Sequence, residues 1–451
     1  MKIPQSPPDF NELFMRISKG DPEKVADIFT RGIRADSGGR YYHWDKLRHL
    51  SLPEGLSSEE WWCAIKMARK TLYRELPHID KKGKPFVFAE PDIVRQLLHE
   101  IDIHGGGEIK STEQVANSQT RDTYLINSLI EESITSSQLE GAATTRKVAK
   151  EMLRRNRRPT NKSERMILNN YRAMLFINDV SNEELTPELI FELHKILSEG
   201  TLENPDAVGK LRTDDEIYVG DNRDATIIHV PPYANQLSER LKSICSFANE
   251  SSIEHTFLHP VIRAIVLHFL LAYDHPFEDG NGRTARALFY WSMLKQDYWT
   301  MEYISISSIL KKAPAKYTRA YLYTETDEND VTYFIIHQLE TIVRAIKELF
   351  TYLEKKSEEI KAIEKVLTKS PELKRILNYR QIALLNRALK KPDSYYYVES
   401  HRRSHDVTYD TARTDLLKLV ELGLLNKFKE GKAYVFRPVD NLRGILQDLT
   451  E

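Results

Sequence analysis

One segment of twelve residues, His275–Arg286, limits most strongly how this chain can fold. It reads HPFEDGNGRTAR; an apolar run with helical spacing ends just before it, near Tyr273, and a new helix is expected to begin near Arg283. Glycine allows backbone N–H groups to converge on an anion, and the N-terminus of a following helix adds its dipole. The sequence therefore predicts two helices joined by an anion-binding loop.

The polar side chains of this segment supply the groups that phosphoryl-type transfer requires. Arg283 and Arg286 are three residues apart on the first turns of a helix, so both can face one anion. Asp279 offers a hard oxygen ligand for a phosphate-bound Mg²⁺, and His275 at the loop entrance is a candidate general base. Together these are the groups that phosphoryl-type transfer uses, and the alternative is a glycine-rich turn between helices with a surface ion pair.

Composition restricts the class of protein. A length of 451 residues suggests about three domains, and 41% hydrophobic with 29% charged residues suits a globular protein. The 65 Lys and Arg nearly balance the 66 Asp and Glu, so no whole-chain field favours nucleic acid or anionic membrane. Cys63 and Cys245 have no metal-ligand spacing, and neither a signal peptide nor an apolar run of ~20 residues is visible. We therefore expect a cytoplasmic protein with no membrane segment.

Periodicity predicts a mainly α protein. Residues 1–40 are interrupted by Pro and Gly residues and are expected to form a loosely structured arm. Residues 217–230 have β-branched residues around Gly220-Asp221-Asn222, which predicts a hairpin, and residues 335–368 predict a long charged helix. Further helices are expected over Ser57–Arg74, Pro91–Ile101, Asp122–Leu139, Ser163–Val180, Thr186–Leu197, Asn235–Asn249 and Leu258–Tyr273.

The C-terminal part resembles a winged helix-turn-helix. The expected elements are helices over Tyr379–Leu389, Val398–Ser404 and Asp410–Leu422, followed by strands over Leu425–Phe428 and Ala433–Phe436. Thr411 and Arg413 would then face a DNA groove. Residues 398–437 hold eight Lys or Arg and six Asp or Glu, a net charge of +2, which is a weak electrostatic footprint for DNA. Dimerisation or protein docking therefore stays open beside DNA binding.

The segment His275–Arg286 resembles the Fic family motif HPFx(D/E)GNGRxxR at every position. The resemblance implies a Fic-type helical core with a short β-hairpin flap, and AMP transfer from ATP to a Ser, Thr or Tyr hydroxyl of a target protein. By this resemblance, His275 would deprotonate the hydroxyl and Asp279 would hold Mg²⁺. The other nucleotide-binding residues would be Gly280, Asn281 and Gly282 of the anion hole, Arg283 on phosphate and Arg286 on the γ-phosphate. Related Doc kinases alter the second motif glycine, so Gly282 favours AMP transfer over phosphorylation.

Two further parts of the chain resemble the family. Residues 209–212, 217–220 and 230–232 are similar to the Fic flap, in which Val219 and Gly220 would align an extended target segment. The alternative is an ordinary surface hairpin. Tyr321 resembles an adenine-pocket residue, although an aromatic residue at such a position more commonly belongs to the core.

The segment Ser136–Gly141 resembles the inhibitory motif (S/T)xxxE(G/N) of Fic proteins. The constrained positions are Ser136, Glu140 and Gly141, at the end of a predicted helix that precedes the catalytic segment. The resemblance implies that Glu140 pairs with Arg286 and so competes with the γ-phosphate, which identifies the class with an N-terminal inhibitory motif. A helix-end Glu exposed to solvent is the alternative.

The expected organisation has four parts. These are an N-terminal region that packs on the core (1–110), a Fic catalytic domain with the inhibitory helix (111–349), a helical connector (350–377) and a winged helix-turn-helix (378–440). Two other functions remain open: an enzyme that removes AMP with the help of Glu140, and a DNA-binding regulator whose Fic core senses nucleotide. The sequence identifies neither the target protein nor its modified residue, and it leaves a homodimer open.

Overall fold

The structure is a computed structural model that describes residues 2–105, 118–220, 226–250, 252–253, 256–367, 375–390, 394–430, 433–440, 442 and 445–446. The helices in chain order are α1 (Phe10–Gly20), α2 (Pro22–Thr30), α3 (Trp44–Leu47), α4 (Ser58–Lys70), α5 (Asp92–Gly105), α6 (Ser118–Leu139), α7 (Arg146–Arg155), α8 (Lys162–Asp179), α9 (Pro187–Ser198), α10 (Leu237–Asn249), α11 (Pro260–Asp274), α12 (Asn281–Lys295), α13 (Ile306–Lys312), α14 (Pro314–Thr326), α15 (Thr332–Leu367), α16 (Tyr379–Lys390), α17 (Val398–His405) and α18 (Tyr409–Glu421). The strands are β1 (Arg74–Ile79), β2 (Pro85–Phe88), β3 (Val219–Gly220), β4 (Ile227–His229), β5 (Ser252–Ile253), β6 (Thr256–Phe257), β7 (Tyr396–Tyr397), β8 (Leu425–Glu430) and β9 (Ala433–Pro438). This content confirms the prediction of a mainly α protein.

The chain forms two compact units. The first contains Met1–Gly107, Glu131–Thr144 and Thr160–Ile346, and the second contains Glu108–Ile130, Thr145–Pro159 and Lys347–Glu451. The C-terminal part of α6 therefore belongs to the first unit, and α7 belongs to the second. Among the described residues, no helix combines the length and the apolar character that crossing a membrane requires.

The centre of the first unit is the pair α11 and α12, which pack against each other. Pro260 occupies the first position of α11, where its missing N–H costs nothing, and the His259 side chain caps the helix by accepting from the Val261 N–H. All residues from Val261 to Leu271 are buried, and apart from Arg263 and His268 they are apolar, as expected for a central helix. The loop of the His275–Arg286 segment thus joins the two helices at the core of the unit.

The prediction of a loosely structured arm over residues 1–40 is wrong, because this region contains α1 and α2. Asp9 and Asp21 cap the two helices by accepting hydrogen bonds from backbone N–H groups of their first turns. Leu13 and Ile28 are buried in one apolar cluster with the side chains of α4. Gly20 and Pro22 therefore mark the turn between two packed helices.

The helix predicted over Ser57–Arg74 begins as expected but is shorter. Ser57 and Glu60 form the reciprocal hydrogen bonds of a capping box at its start, and α4 ends at Lys70. Arg74 instead opens β1, where it pairs with Phe88 of β2 in an antiparallel ladder. Pairing with the next strand, β2, satisfies backbone groups that a longer helix would otherwise have paired internally.

The hairpin predicted over residues 217–230 is confirmed. Val219 pairs with His229, and Gly220 pairs with Ile227, in an antiparallel arrangement of β3 and β4. Asp221 and Asn222 of the predicted turn lie outside the described residues.

The predicted C-terminal elements are also present. The helices α16, α17 and α18 precede β8 and β9, and the short β7 adds a third strand in the order β7-β9-β8. Their apolar faces enclose one buried cluster that includes Leu385, Leu416 and Phe436. The long charged helix is α15, whose described part ends at Leu367.

Candidate active site

His275 ends α11 in a left-handed backbone conformation with φ of 46°. This conformation costs a non-glycine residue about 1–2 kcal/mol, so the surrounding contacts must hold it in place. One such contact is the Arg212 guanidinium, whose Nε donates to the His275 carbonyl oxygen at 3.0 Å. Arg212 also donates to the carbonyl oxygens of Asp214 and Pro232, so it joins the loop entrance to the base of the hairpin.

The His275 ring is suited to accept a proton. Its Nδ1 lies 3.4 Å from the Ala272 carbonyl oxygen, a long contact that favours hydrogen on Nδ1 and leaves Nε2 as the acceptor. Burial lowers the pKa of His275 to about 4, while the Ala272 carbonyl and the Glu140 carboxylate oppose that shift. The imidazole is therefore neutral at pH 7.

The loop between α11 and α12 is held by its own polar groups. Gly280 precedes α12 with φ of 86°, a conformation in which a side chain would be strained. Both polar atoms of the Asn281 side chain are used by the backbone of Phe277. Oδ1 accepts from the Phe277 N–H at 2.9 Å, and Nδ2 donates to the Phe277 carbonyl oxygen at 2.8 Å. The predicted anion-hole role of Asn281 can therefore involve only its backbone N–H, at the N-terminus of α12.

Asp279 presents an accessible carboxylate on the loop, with 51% of its side chain exposed. Its Oδ1 accepts from the Gly280 N–H at 2.6 Å, and its Oδ2 lies 3.8 Å from Nη2 of Arg283. Among the described residues, no group of three or more His, Cys, Asp or Glu side chains could hold a metal ion. A single exposed carboxylate fits Mg²⁺ that takes its other ligands from water and substrate phosphates.

Arg283 is fully buried beneath the loop. Its Nη1 donates to the Leu197 carbonyl near the end of α9 at 2.8 Å, while its Nε and Nη2 have no hydrogen-bond partner within the described part of the chain. Burial lowers the pKa of the Arg283 guanidinium, and the nearby Asp279 carboxylate opposes this shift. Arg283 thus anchors the first turn of α12 on α9, and its contact with phosphate stays a prediction.

Arg286 is bound by residues of the segment Ser136–Gly141. Its Nη2 donates to Glu140 Oε1 at 2.8 Å and to the Ser136 carbonyl at 3.1 Å, and its Nε donates to Ser136 Oγ at 2.9 Å. Burial alone would lower the pKa of Arg286, but the Glu140 carboxylate and neighbouring groups raise it above its ordinary value. The structure therefore brings Glu140 and Arg286 together, as the resemblance implied, and places Ser136 on the same guanidinium.

The Glu140 carboxylate also lies directly against Gly282. A Cβ added to Gly282 would overlap Glu140 Oε1 and would come within 3.1 Å of Nη1 of Arg286. The carboxylate consequently stands at the N-terminus of α12, where the helix dipole favours a negative charge. Gly141 follows with φ of 92° and lets the chain turn away from this contact.

Glu132 was missed by the sequence analysis. Its carboxylate is buried and accepts hydrogen bonds from Tyr290 OH at 3.0 Å, Ser305 Oγ at 2.7 Å and the Ser307 N–H at 3.1 Å. Glu132, Ser136 and Glu140 are spaced by four residues, so they share one face of the helical segment. Glu132 thereby anchors the segment that carries Glu140.

Tyr321 belongs to a cluster of aromatic side chains in the first unit. Its ring stacks on Phe269 with 5.5 Å between centroids, and its hydroxyl is 3.2 Å from the Tyr317 hydroxyl. Tyr317 in turn lies 2.7 Å from Nε2 of the buried His268. Tyr321 is only partly buried, and its adenine-binding role stays a prediction.

Val219 and Gly220 are both partly exposed on the hairpin, which is joined to the end of α11. Nε2 of His229 on β4 lies 2.7 Å from the Tyr273 carbonyl oxygen, two residues before His275. Nδ1 of His229 lies 2.9 Å from the Glu325 carboxylate. The hairpin is therefore attached beside the candidate base.

His194 of α9 was also missed. It is fully buried, and its ring lies parallel to that of Phe277, with 3.8 Å between centroids and an interplanar angle of 4°. Its Nδ1 accepts from the Gly209 N–H at 3.0 Å, and its Nε2 lies 2.9 Å from the Asp279 carbonyl oxygen. Burial lowers the pKa of His194 to about 4, so the ring is neutral at pH 7.

Residues 184–293, which include α9, α11, the loop and α12 up to Met293, match the model of the Fic/DOC family. The chain therefore contains a Fic/DOC family domain.

The chain is also similar to individual proteins. The chain is 32% identical to the protein adenylyltransferase Fic of Nematostella vectensis over 120 residues, 26% of this chain and 25% of that protein. It is 32% identical to the protein adenylyltransferase fic-1 of Caenorhabditis elegans over 132 residues, 28% of this chain and 23% of that protein. The matched region thus spans about a quarter of the length of these curated relatives. The crystal structure of a Fic family protein from Desulfovibrio desulfuricans G20 aligns with a TM-score of 0.48 at 16% identity, over 77% of this chain and 95% of that one.

Proposed function

We propose that this chain is a protein adenylyltransferase that transfers AMP from ATP to a Ser, Thr or Tyr hydroxyl of a target protein and of itself. The observation that carries this proposal is the Glu140 carboxylate on Arg286 and against Gly282, at the N-terminus of α12. A carboxylate held at this point marks the place where an anionic group binds. The matched relatives that bear the name protein adenylyltransferase support AMP transfer as the chemistry.

His275 would act as the general base in this reaction. Nε2 of the neutral ring takes the proton of the target hydroxyl while the hydroxyl oxygen forms a bond to the α-phosphorus of ATP. The bond between the α-phosphorus and the bridging oxygen then breaks, and pyrophosphate leaves. The neighbouring hairpin would align an extended target segment through Val219 and Gly220.

The loop and α12 would bind the nucleotide. The N–H groups of Asn281 and Gly282 and the dipole of α12 would face the phosphates, Arg283 and Arg286 would add positive charge, and Gly280 would shape the loop, because its own N–H donates to Asp279 Oδ1. Asp279 would supply one oxygen ligand to Mg²⁺, which when bound neutralises charge on the phosphates. Tyr321 would contact the adenine.

Glu140 would inhibit the enzyme by competition. Arg286 can form a short charge-assisted bond with the Glu140 carboxylate or with the γ-phosphate, but hardly with both. If the Glu140 pair favours the inhibited state by about 2–3 kcal/mol, productive ATP binding falls roughly 30- to 150-fold. The contacts of Arg286 with Ser136 would hold the guanidinium in this state.

The test is the Glu140→Gly variant. We expect wild-type protein to label itself and a host-cell lysate weakly with AMP from labelled ATP, and Glu140→Gly to raise both by a large part of that factor. Mass spectrometry of the labelled bands would identify the modified residues. Equal labelling of variant and wild type at saturating Mg·ATP would contradict the autoinhibition.

Two controls separate the alternatives. Arg286→Ala should not mimic Glu140→Gly, and the double variant should stay weak, because ATP also needs the arginine. If Glu140→Gly instead labels more slowly and no longer removes AMP from a pre-modified target, Glu140 assists AMP removal. Absence of all labelling together with specific DNA binding would favour a DNA-binding regulator with a nucleotide-sensing core.

For the second unit we propose a docking role in the cytoplasm, for DNA, protein or a second copy of the chain. Arg413 is exposed on α18 and Thr411 is partly exposed, which supports a surface function for this helix. A mobility-shift assay with random-sequence DNA and light scattering of the full chain distinguish these partners.

A further inference from the structure

His194 connects two parts of the first unit that are distant in the sequence. Its buried ring stacks on Phe277, and its nitrogens face the Gly209 N–H and the Asp279 carbonyl oxygen. A backbone N–H can only donate, so Nδ1 must accept from Gly209. A carbonyl oxygen can only accept, so Nε2 must carry the hydrogen and donate to Asp279. These partners fix one neutral tautomer of the ring.

The contact with Asp279 acts on a single rigid peptide plane. The carbonyl of Asp279 and the N–H of Gly280 belong to the same planar peptide group. His194 holds the oxygen end of this plane at 2.9 Å. The N–H end donates to Oδ1 of Asp279 itself at 2.6 Å. A rotation of the plane would therefore move the donor that orients the carboxylate.

We propose that His194 is a positioning residue for the Asp279 carboxylate, and that it sets the affinity of the site for Mg²⁺·ATP. This inference rests on the proposed function only for the identity of the ligand. The Asp279 side chain is 51% exposed, and its Oδ2 lies 3.8 Å from Nη2 of the buried Arg283, farther than the 2.6 Å between its Oδ1 and the Gly280 N–H. The peptide plane held by His194 is consequently its closest restraint.

Gly280 shows how closely the ring approaches the loop. A Cβ added to Gly280 would lie 3.4 Å from Nε2 of His194 and 3.4 Å from Nη2 of Arg283. Two side chains thus flank the Asp279–Gly280 peptide. The His194 imidazole lies at its carbonyl oxygen, and the Arg283 guanidinium lies near the Asp279 carboxylate. A donor at the Nε2 position is the feature that the proposal requires.

Three variants separate that donor from the rest of the side chain. His194→Gln can place an amide donor near the Nε2 position, and His194→Asn reaches only the Nδ1 position. His194→Phe keeps an aromatic ring against Phe277 but has no hydrogen bond. Each is made in the full chain with Glu140→Gly, so that the inhibitory carboxylate does not compete.

Two measurements are made on each variant. Calorimetry measures ATP binding with and without Mg²⁺ and does not require turnover. The rate of labelling is then measured against Mg²⁺ concentration, which separates the apparent Mg²⁺ constant from kcat. Removing a residue that orients a metal ligand typically costs 10- to 100-fold in metal affinity. We expect a loss of about this size in His194→Asn and His194→Phe, a smaller loss in His194→Gln, and little change in ATP binding without Mg²⁺.

Other outcomes would overturn the inference. If all three variants bind Mg·ATP as the parent does, or if Gln and Asn lose equally, the donor at Nε2 does not position Asp279. If only the melting temperature falls while the Mg²⁺ dependence is unchanged, His194 is a packing residue. A parent that binds Mg·ATP but labels nothing would contradict the proposed function and still leave the calorimetric test of His194 intact.

Discussion

At the residue scale, the candidate base His275 combines a strained backbone with a ring whose pKa is lowered by burial. His275 has a left-handed backbone, which persists only because its neighbours determine it, and the Arg212 bond to its carbonyl is one such restraint. Its ring lies near His229, Glu140 and Arg212, of which only Glu140 raises the pKa of His275. The net effect, led by burial, is a base that stays unprotonated across the neutral range.

This arrangement predicts the behaviour of His275→Ala. We expect the variant in the Glu140→Gly background to lose AMP transfer by at least about 100-fold while it still binds ATP, because the base acts on the hydroxyl and not on the nucleotide. Labelling and calorimetric ATP titration measure the two properties. His229→Asn, made in the same background, is the matched control for a histidine near the site. Labelling at the parental rate would remove His275 from the mechanism.

The pH dependence of the same parent enzyme follows from the lowered pKa. A base with a pKa of about 4 is fully active above pH 6.5, the ordinary histidine value, and loses activity only as the pH falls toward 4. Glu140→Gly removes a carboxylate that raises the pKa of His275. The acid limb of the pH profile should therefore lie at a still lower pH in this variant. The profile of kcat/KM against pH reports the free enzyme and is the measurement. An acid limb centred at pH 6.5 or above would contradict the burial of the free base.

Some of the candidate site residues can be predicted from the sequence because they lie close together along the chain. His275, Asp279 and Arg286 lie within twelve consecutive residues, so their spacing predicts a common site, and the roles proposed for them follow from that prediction. His194 gave no such signal, because its partner Asp279 is 85 residues away and a histidine on an apolar helix face is most often a packed core residue. Glu132 was hidden in the same way, since Ser305 is 173 residues away from it.

At the element scale, the C-terminal part of α6 together with Glu140, the proposed inhibitory segment, is fixed at two points on one face. Glu132 anchors it through Tyr290, Ser305 and Ser307, and Glu140 reaches Arg286 two turns later. The position of the second contact depends on the first, because residues spaced by four share a helix face.

Glu132→Ala should therefore weaken the inhibition as well as the fold. The buried hydroxyls of its partners lose an acceptor, which costs about 1–3 kcal/mol of stability, and the helix end that carries Glu140 becomes less well placed. We expect labelling above wild type but below Glu140→Gly, with a lower melting temperature. Glu132→Gln, which keeps an acceptor oxygen, should be milder in both. The neighbouring Glu131→Gln is the control, and wild-type labelling by a folded but destabilised Glu132→Ala would show that Glu140 does not depend on this anchor.

The elements also show where local sequence stops being informative. The β3 and β4 hairpin follows from β-branched residues around a turn, which is local information. Helices α1 and α2 are short and depend on packing, through Leu13 and Ile28, against residues of α4. Such tertiary support has no local signature, which is why residues 1–40 were expected to be loose.

At the scale of the whole molecule, buried neutral histidines make the first unit sensitive to acid. Burial is the main cause that lowers the pKa to about 4 in five histidines of this unit: His43, His78, His194, His275 and His337. The unfolded chain, with pKa values near 6.5, binds more protons than the folded one between these limits. The contribution of these neutral histidines to the free energy of unfolding is therefore complete above pH 6.5 and is lost as the pH falls toward 4.

His78 offers a clean test of this effect. Both of its ring nitrogens are buried without a hydrogen-bond partner within the described residues, and its ring meets Phe247 edge-on. His78→Phe removes one protonation site, so its melting temperature should fall less between pH 7 and pH 4.5 than that of wild type. Comparing slopes cancels any change in stability at neutral pH. Identical slopes would show that His78 takes no part in the acid response.

The second unit supplies none of the residues assigned to AMP transfer. His275, Asp279, Arg286, Glu140 and Tyr321 all lie in Glu131–Thr144 or Thr160–Ile346, which belong to the first unit. We therefore expect a chain that lacks residues 378–451 to retain AMP transfer. Self-labelling of the truncated chain is measured in the Glu140→Gly background, so that a weak signal from the inhibited enzyme is not mistaken for a loss of chemistry.

Circular dichroism and melting temperature establish that the truncated protein is folded. The pattern of labelled proteins in a lysate and the mass from light scattering should change instead, because the removed helices and strands are the proposed docking part. Loss of ATP chemistry in a folded truncated protein would show that residues 378–451 complete the active site.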